Sequence, residues 1–255
     1  MWDNSVKWDS MIRPMKGWAR LDVRELIRYR DLILLLVRRN FKLMYKQTVL
    51  GPAWVVIQPL ITTVVFTVIF GGIAKLPTDG MPQFLFYMAG NIAWQYFSAC
   101  LTQTSSTFIQ NRQLFGKVYF PRLVVPLSVV GANLVRFFIQ MGLFISVYLF
   151  YVIFLDANVH PNWYLCLFPL LLFMLAGLAL GFGILISSLT TKYRDLTILF
   201  TFIVQLWMYA TPVIYPLSYI TSPKKQWIMA LNPLTSIIET LNTERLEKAL
   251  SVGGI

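Results

Sequence analysis

The sequence predicts an all-α integral membrane protein, and three observations carry that prediction. Hydrophobic residues make up 57% of the chain and charged residues 13%, whereas soluble domains carry roughly 25% charged residues. The apolar residues gather into long runs separated by turn-rich or basic stretches. The net charge of +11 falls mostly on alternate connections between those runs. The expected layout is a cytoplasmic tail with an amphipathic interface helix over 1–50, a transmembrane domain over 51–241, and a polar tail over 242–255.

The chain is organised around residues 30–59, where a basic, partly amphipathic segment runs directly into an apolar one. Arg38, Lys42 and Lys46 recur every four residues, so a helix lines them along one face. The apolar run 32–37 is far too short to cross a bilayer. A helix with a cationic stripe and an apolar stripe belongs flat in the headgroup layer. A soluble basic helix ahead of a buried one is the competing reading, and the apolarity of the downstream chain argues against it. Upstream, Arg20, Arg24 and Arg28 form a second stripe at the same spacing, with Asp22, Glu25 and Asp31 placed to pair with them. Residues 1–20 scatter Trp2, Trp8 and Trp18 among cations and read as a tail on a membrane surface or on a partner. The first thirty residues contain no apolar core of the kind a cleavable signal peptide needs.

Gly51-Pro52 punctuates the entry to span one, 55–73, which has no charge. The turn-rich 75–83 ends it. Span two covers 84–101, and its lower end is a hydroxyl run, 102–107, that either packs on another helix or faces water. A short basic loop comes next at 111–122. The apolar stretch 123–155 is too long for one bilayer crossing, about 50 Å as helix against roughly 30 Å of hydrocarbon. Arg136 divides it. Either 137–155 spans, with Arg136 at the cytoplasmic border, or Arg136 is buried and faces a water-filled path. Span four is 163–189, where Gly177, Gly181 and Gly183 offer a face of small residues for close helix packing. A tight basic turn at 190–196 leads to span five, 197–214. The apolar 227–241 is short and broken by Asn232-Pro233, which reads as re-entrant rather than spanning. His160 reads as a loop residue, and Cys100 and Cys166 as small packing residues.

Sixteen of the 22 Lys and Arg lie in 1–54, 109–122 and 187–196, while the opposite loops hold only Lys75, Lys224 and Lys225. The positive-inside rule then puts the N-terminus in the cytoplasm. The charge is therefore a topology signal and a contact for anionic lipid, and argues against a nucleic-acid partner.

Several chemistries find no support. No G-x-x-x-x-G-K-[ST] loop is present to cradle nucleotide phosphates, and no metal-ligand cluster is visible. Spans one to five carry no Asp or Glu in their interiors, as coupled transporters and metal-dependent membrane transferases need. A channel or transporter powered from outside the chain fits best, with no catalytic residue, metal or cofactor of its own.

Five stretches in order carry a family resemblance: RDLILLLVRRNFKLMYKQTVLGPAW, FPRLVVPLS, TKYRDL, TPVIYP and ALNP. Across about 31–238 the chain resembles the permease subunits of ABC transporters that export bacterial polysaccharides such as O-antigens, capsules and teichoic acids. The resemblance implies a type-2 exporter fold with five to six spans, in the bacterial inner membrane. It implies a permease homodimer with two separate ATPase subunits, which bind the ATP and magnesium, and a lipid-linked polysaccharide as substrate. It implies that Arg24, Arg28, Arg38, Arg39, Lys42 and Lys46 on the interface helix receive the lipid diphosphate. The coupling helix would be 110–119, with Gln110, Asn111, Leu114, Phe115, Lys117 and Tyr119, and with Phe115 and Tyr119 as apolar plugs into the ATPase. Lys192, Tyr193, Arg194 and Asp195 would form a second coupling contact, and 215–241 the re-entrant pair.

Pyranose faces pack on aromatic rings, so Trp94, Tyr96, Phe97, Trp207, Tyr209 and Tyr215 are candidates to line a glycan channel. The ordinary aromatic belt at a membrane interface is the competing explanation. One departure stands out. The family adds another span after the ALNP region, whereas 242–255 is short and polar, so a count of five spans leaves the C-terminus outside and points to truncation or alteration after about Thr240. An ABC permease for a drug or lipid, and a membrane glycosyltransferase or scaffold of glycan synthesis, are the alternatives.

Overall fold

The computed structural model describes residues 23–46, 48–78, 80–117, 120–155, 168–193, 195–215 and 234–235. The Trp-rich tail, His160, Cys166, most of the segment read as re-entrant and the tail 242–255 lie outside the described residues.

The interface segment forms two helices, α1 (Val23–Arg28) and α2 (Arg30–Tyr45). They join at Tyr29, whose N–H still donates to the carbonyls of Glu25 and Leu26. A sharp turn comes next. Gly51 there has a φ of +52°, a left-handed value that a residue with a Cβ adopts only at a cost. Pro52 lies in the first helical turn after it, where its missing N–H costs nothing. Helix α3 (Trp54–Phe66) then runs into a π-helical stretch, Thr67–Ile73. After a loop come α4 (Gln83–Ser105), the short α5 (Thr107–Gln110) and α6 (Arg112–Lys117), the long α7 (Val124–Phe154), α8 (Phe168–Lys192) and α9 (Leu196–Tyr209).

Three segments among the described residues are long and apolar enough to cross a membrane: Gly51–Ile73, Val124–Phe154 and Phe168–Lys192. Helix α4 is as long but more polar, and its position explains why. It is the central helix, packed against α3, α7, α8 and α9, and most of its side chains are buried. A helix screened from lipid by its neighbours can carry Asn91, Gln95 and Gln103, because those neighbours supply partners. Its hydroxyl run turns inward. Thr102, Ser105 and Thr107 donate to carbonyls three or four residues back on the same chain, and Thr190 of α8 donates to the Ser105 carbonyl at 3.0 Å. Of the two readings of that run, packing against a helix is the one observed.

Two expectations are corrected. Span five does not continue as helix to 214: α9 ends at Tyr209, and 211–215 turns back over α4 with Thr211, Val213 and Ile214 buried. Pro212 favours the stop, because it has no N–H for the carbonyl four residues back and its ring crowds the preceding turn. At 14 residues α9 is about 21 Å long, short of the roughly 30 Å hydrocarbon layer. The small-residue face of α8 also narrows to one position. A methyl built on Gly183 would stand 2.6 Å from Thr104 Cβ, so glycine is what allows α8 to approach α4 there. Gly177 and Gly181 meet nothing within 4 Å. Gly183→Ala is therefore expected to cost about 1–3 kcal/mol by overpacking. Gly181→Ala is expected to be neutral or stabilising by up to about 1 kcal/mol. Thermal melting of the purified variants checks both.

Candidate functional site

The interface helix α2 is apolar on two sides. Leu36 joins Phe120, Val124 and Val125 in a buried cluster, with Leu26, Tyr29, Leu32, Ile33 and Phe115 packed around it. Leu34, Leu35 and Leu43 remain exposed on the other side. Exposed leucines interleaved with exposed Arg38 and Lys42 suit a helix held half in headgroups and half in acyl chains. Asp31, Leu34, Leu35, Arg38, Arg39 and Lys42 line an open groove of about 670 Å³ on this face. Arg28 and Lys46 are exposed beyond its two ends, as is Arg24. Arg39 differs from the other cations. It is half-buried and donates to Asn40 Oδ1 at 3.3 Å, and Asn40 in turn donates to Ser128 of α7 at 3.2 Å.

The segment expected as one coupling helix over 110–119 is broken at Asn111 into α5 and α6. Asn111 Nδ2 donates to the Thr107 carbonyl, and Gln110 Nε2 to Ser106 Oγ. Gln110, Arg112 and Gln113 are exposed, whereas Phe115 turns inward. Its ring lies 5.8 Å from Phe108 and 5.5 Å from Phe120, in the cluster that also holds α2 and the start of α7. Tyr119 and the side chains of Leu114 and Lys117 lie outside the described residues. At the second contact Lys192, Tyr193 and Asp195 are exposed, and Lys192 Nζ sits 5.2 Å over the Tyr193 ring. Arg194 also falls outside the described residues.

The candidate channel aromatics divide sharply. Trp94, Tyr96 and Phe97 are 5%, 3% and 0% exposed within the single chain. Tyr96 packs against Phe137 at 5.2 Å, and Phe97 lies between Trp94 and Trp207 at 5.9 and 5.5 Å. These rings fill the space between α4, α7 and α9. Tyr209 is 61% exposed, Trp207 and Tyr215 are half-buried, and the Tyr215 hydroxyl donates to the Tyr209 carbonyl at 3.0 Å.

Sequence reasoning singled out Arg136 but missed its company. Arg136 Nη2 donates to Gln58 Oε1 of α3 at 2.7 Å and to Gln95 Oε1 of α4 at 3.5 Å. Gln140, one turn further along α7, donates to the Val55 carbonyl at 3.2 Å and to Gln95 Oε1 at 3.4 Å. The contacts of α7 with α2 run through Gly131 and Ser128, before Arg136, while its contact with the start of α3 comes just after, at Gln140. Arg136 thus stands beside the first turns of α3, where the chain enters its first apolar helix. Tyr45, at the end of α2, lies near enough for the guanidinium to draw its phenol down, while burial, the larger effect, pushes it up and keeps it neutral. A signal for this cluster was available: Gln58, Gln95 and Gln140 each interrupt an otherwise apolar run.

Residues 31–243 match the family described as ABC-2 type transporter. The chain belongs to the ABC-2 transporter family. It is 31% identical to the O-antigen export system permease protein RfbA of Myxococcus xanthus over 217 residues, which is 85% of this chain and 80% of that one. A protein of the same description from Klebsiella pneumoniae is 30% identical over 208 residues, 82% of this chain and 77% of its own.

An ABC-2 chain is a multi-pass membrane permease that works with an ATPase subunit. Family membership accounts for the missing nucleotide loop. Exposed Gln110, Arg112 and Gln113 lie between α4 and α7, and exposed Lys192, Tyr193 and Asp195 lie where α8 gives way to α9.

Proposed function

We propose that this ABC-2 permease exports lipid-linked polysaccharide, such as O-antigen or teichoic acid, across the bacterial inner membrane. The observation that carries the reading is identity of about 30% to O-antigen export permeases across more than four-fifths of the chain. Two copies form a continuous channel, and two ATPase subunits supply ATP, magnesium and hydrolysis, so this chain holds no cofactor and performs no catalysis. The N-terminus lies in the cytoplasm by the charge asymmetry. The exposed edge of α5 and α6 and the 192–195 turn receive the motion of the ATPases. Phe115 links that motion to α2 and α7 through the apolar cluster they share. Arg24, Arg28, Arg38, Arg39, Lys42 and Lys46 draw the lipid diphosphate to the cytoplasmic face, and Tyr209, Trp207 and Tyr215 offer rings to the passing sugars.

The test is purification of this chain with the ATPase encoded beside it, then assay of ATP hydrolysis with and without lipid-linked glycan. A stable complex stimulated by the glycan is expected. Stimulation by a lipid or drug alone would move the assignment to another ABC-2 substrate. Glycan transfer by the chain without ATP would make it an enzyme of glycan synthesis.

A further inference from the structure

Arg136 is a cation set within an apolar helix, and among the described residues its hydrogen-bond partners are neutral amides. The acidic residues among the described ones are Glu25, Asp31 and Asp195, all outside the long apolar helices. Asp31, at the far end of α2, stands about 21 Å along that helix from Tyr45. The neighbours of Arg136 are neutral amides, and they leave donors over. Gln58 and Gln95 accept from one of its nitrogens, while its Nε is buried without a partner. Gln95 spends its own amide nitrogen on Asn91 Oδ1 at 3.1 Å, and Gln140 spends its nitrogen on Val55 and Gln95. Asn91, 2% exposed, keeps a buried Nδ2 with no partner, and so does the Tyr45 hydroxyl. Unmade hydrogen bonds in buried groups are costly, and here the groups left over are a positive charge and neutral donors.

That combination suits an anion with several oxygens. The guanidinium fork matches phosphate in a bidentate geometry, and amide and phenol hydrogens satisfy the remaining oxygens. The cluster lies beside the first turns of α3, where the chain enters its first apolar helix. It is open on one side, since Arg136 is half-buried and Gln58 exposed.

We propose that Arg136, with Gln58, Asn91 and Tyr45 around it, binds the phosphate of a membrane lipid. Two sources share that chemistry: the headgroup of an anionic phospholipid, and the diphosphate of a polyprenyl carrier. The second rests on the polysaccharide reading, and the first does not.

The experiment is native mass spectrometry of the full chain in complex with its ATPase. The complex is stripped of lipid and then given phosphatidylglycerol, a polyprenyl diphosphate or phosphatidylcholine. Wild type is expected to retain an anionic lipid. Arg136→Gln is expected to lower that occupancy by about tenfold or more, the weight of a hydrogen bond to a charged group. Arg136→Lys should lose part of it, and Arg30→Gln, which removes an exposed cation, none. Retention of phosphatidylglycerol assigns a headgroup site. Retention of the polyprenyl diphosphate alone assigns a carrier site. Equal occupancy in wild type and Arg136→Gln overturns the proposal, whatever substrate the transporter carries. If Arg136→Gln does not fold, unchanged occupancy in both Arg136→Lys and the surface variant Gln58→Leu overturns it instead.

Discussion

Phe115→Asp is expected to abolish ATP-driven export while the chain still inserts in the membrane. The ring of Phe115 sits against Phe108 and Phe120 in a cluster formed with α2 and the first turns of α7. A carboxylate among those rings loses hydration, and its desolvation costs on the order of several kcal/mol. The segment would sooner leave the cluster than keep the charge there. A cost of about 3 kcal/mol corresponds to on the order of 100-fold in the fraction of attached segments, so export should fall by a comparable factor. Phe115→Leu, which stays apolar, should keep most of the activity. The readouts are export, ATP hydrolysis and co-purification with the ATPase. If Phe115 acts within its own chain, the Asp variant keeps its partner and hydrolyses ATP without exporting. If Phe115 plugs the ATPase, the partner is lost as well. Normal export by the Asp variant would remove 110–119 from the coupling path.

The second large effect separates core aromatics from path aromatics. Phe97 has no exposed surface and fills the space between Trp94 and Trp207, so Phe97→Ala should destabilise the chain by about 3–5 kcal/mol through lost packing and the cavity left behind. Tyr209, 61% exposed at the end of α9, should move stability by no more than about 0.5 kcal/mol when truncated to alanine. Its effect should fall on export of glycan instead. Thermal melting and an export assay on the two variants decide the matter. A Phe97→Ala protein that melts like wild type would show that the ring does not hold the helices together.

Much of this could be read directly in the sequence. The long apolar runs, the basic connections and the position of the interface segment are local properties, and the observed helices match them with small shifts at their ends. Pro212 is an exception that the sequence also contained: the apolar run to 214 hid a residue that stops a helix. Within the segment expected to couple, the structure turns Phe115 inward and leaves Gln110, Arg112 and Gln113 exposed. Phe115 in a basic loop looks exposed, and only the arrival of α2 and α7 beside it gives the ring somewhere to bury.

Hydropathy and charge are sums over neighbours in sequence, so they decide which segments leave water and which side of the membrane their ends prefer. They cannot say which helix sits in the middle. That was decided by packing: α4 is the most polar of the long helices because it is the one surrounded. The same fact turned Trp94, Tyr96 and Phe97 from apparent channel rings into buried core. It also brought Gln58, Gln95 and Gln140, far apart along the chain, around Arg136. A buried polar side chain persists only where other elements bring it partners, and those partners are chosen by the fold.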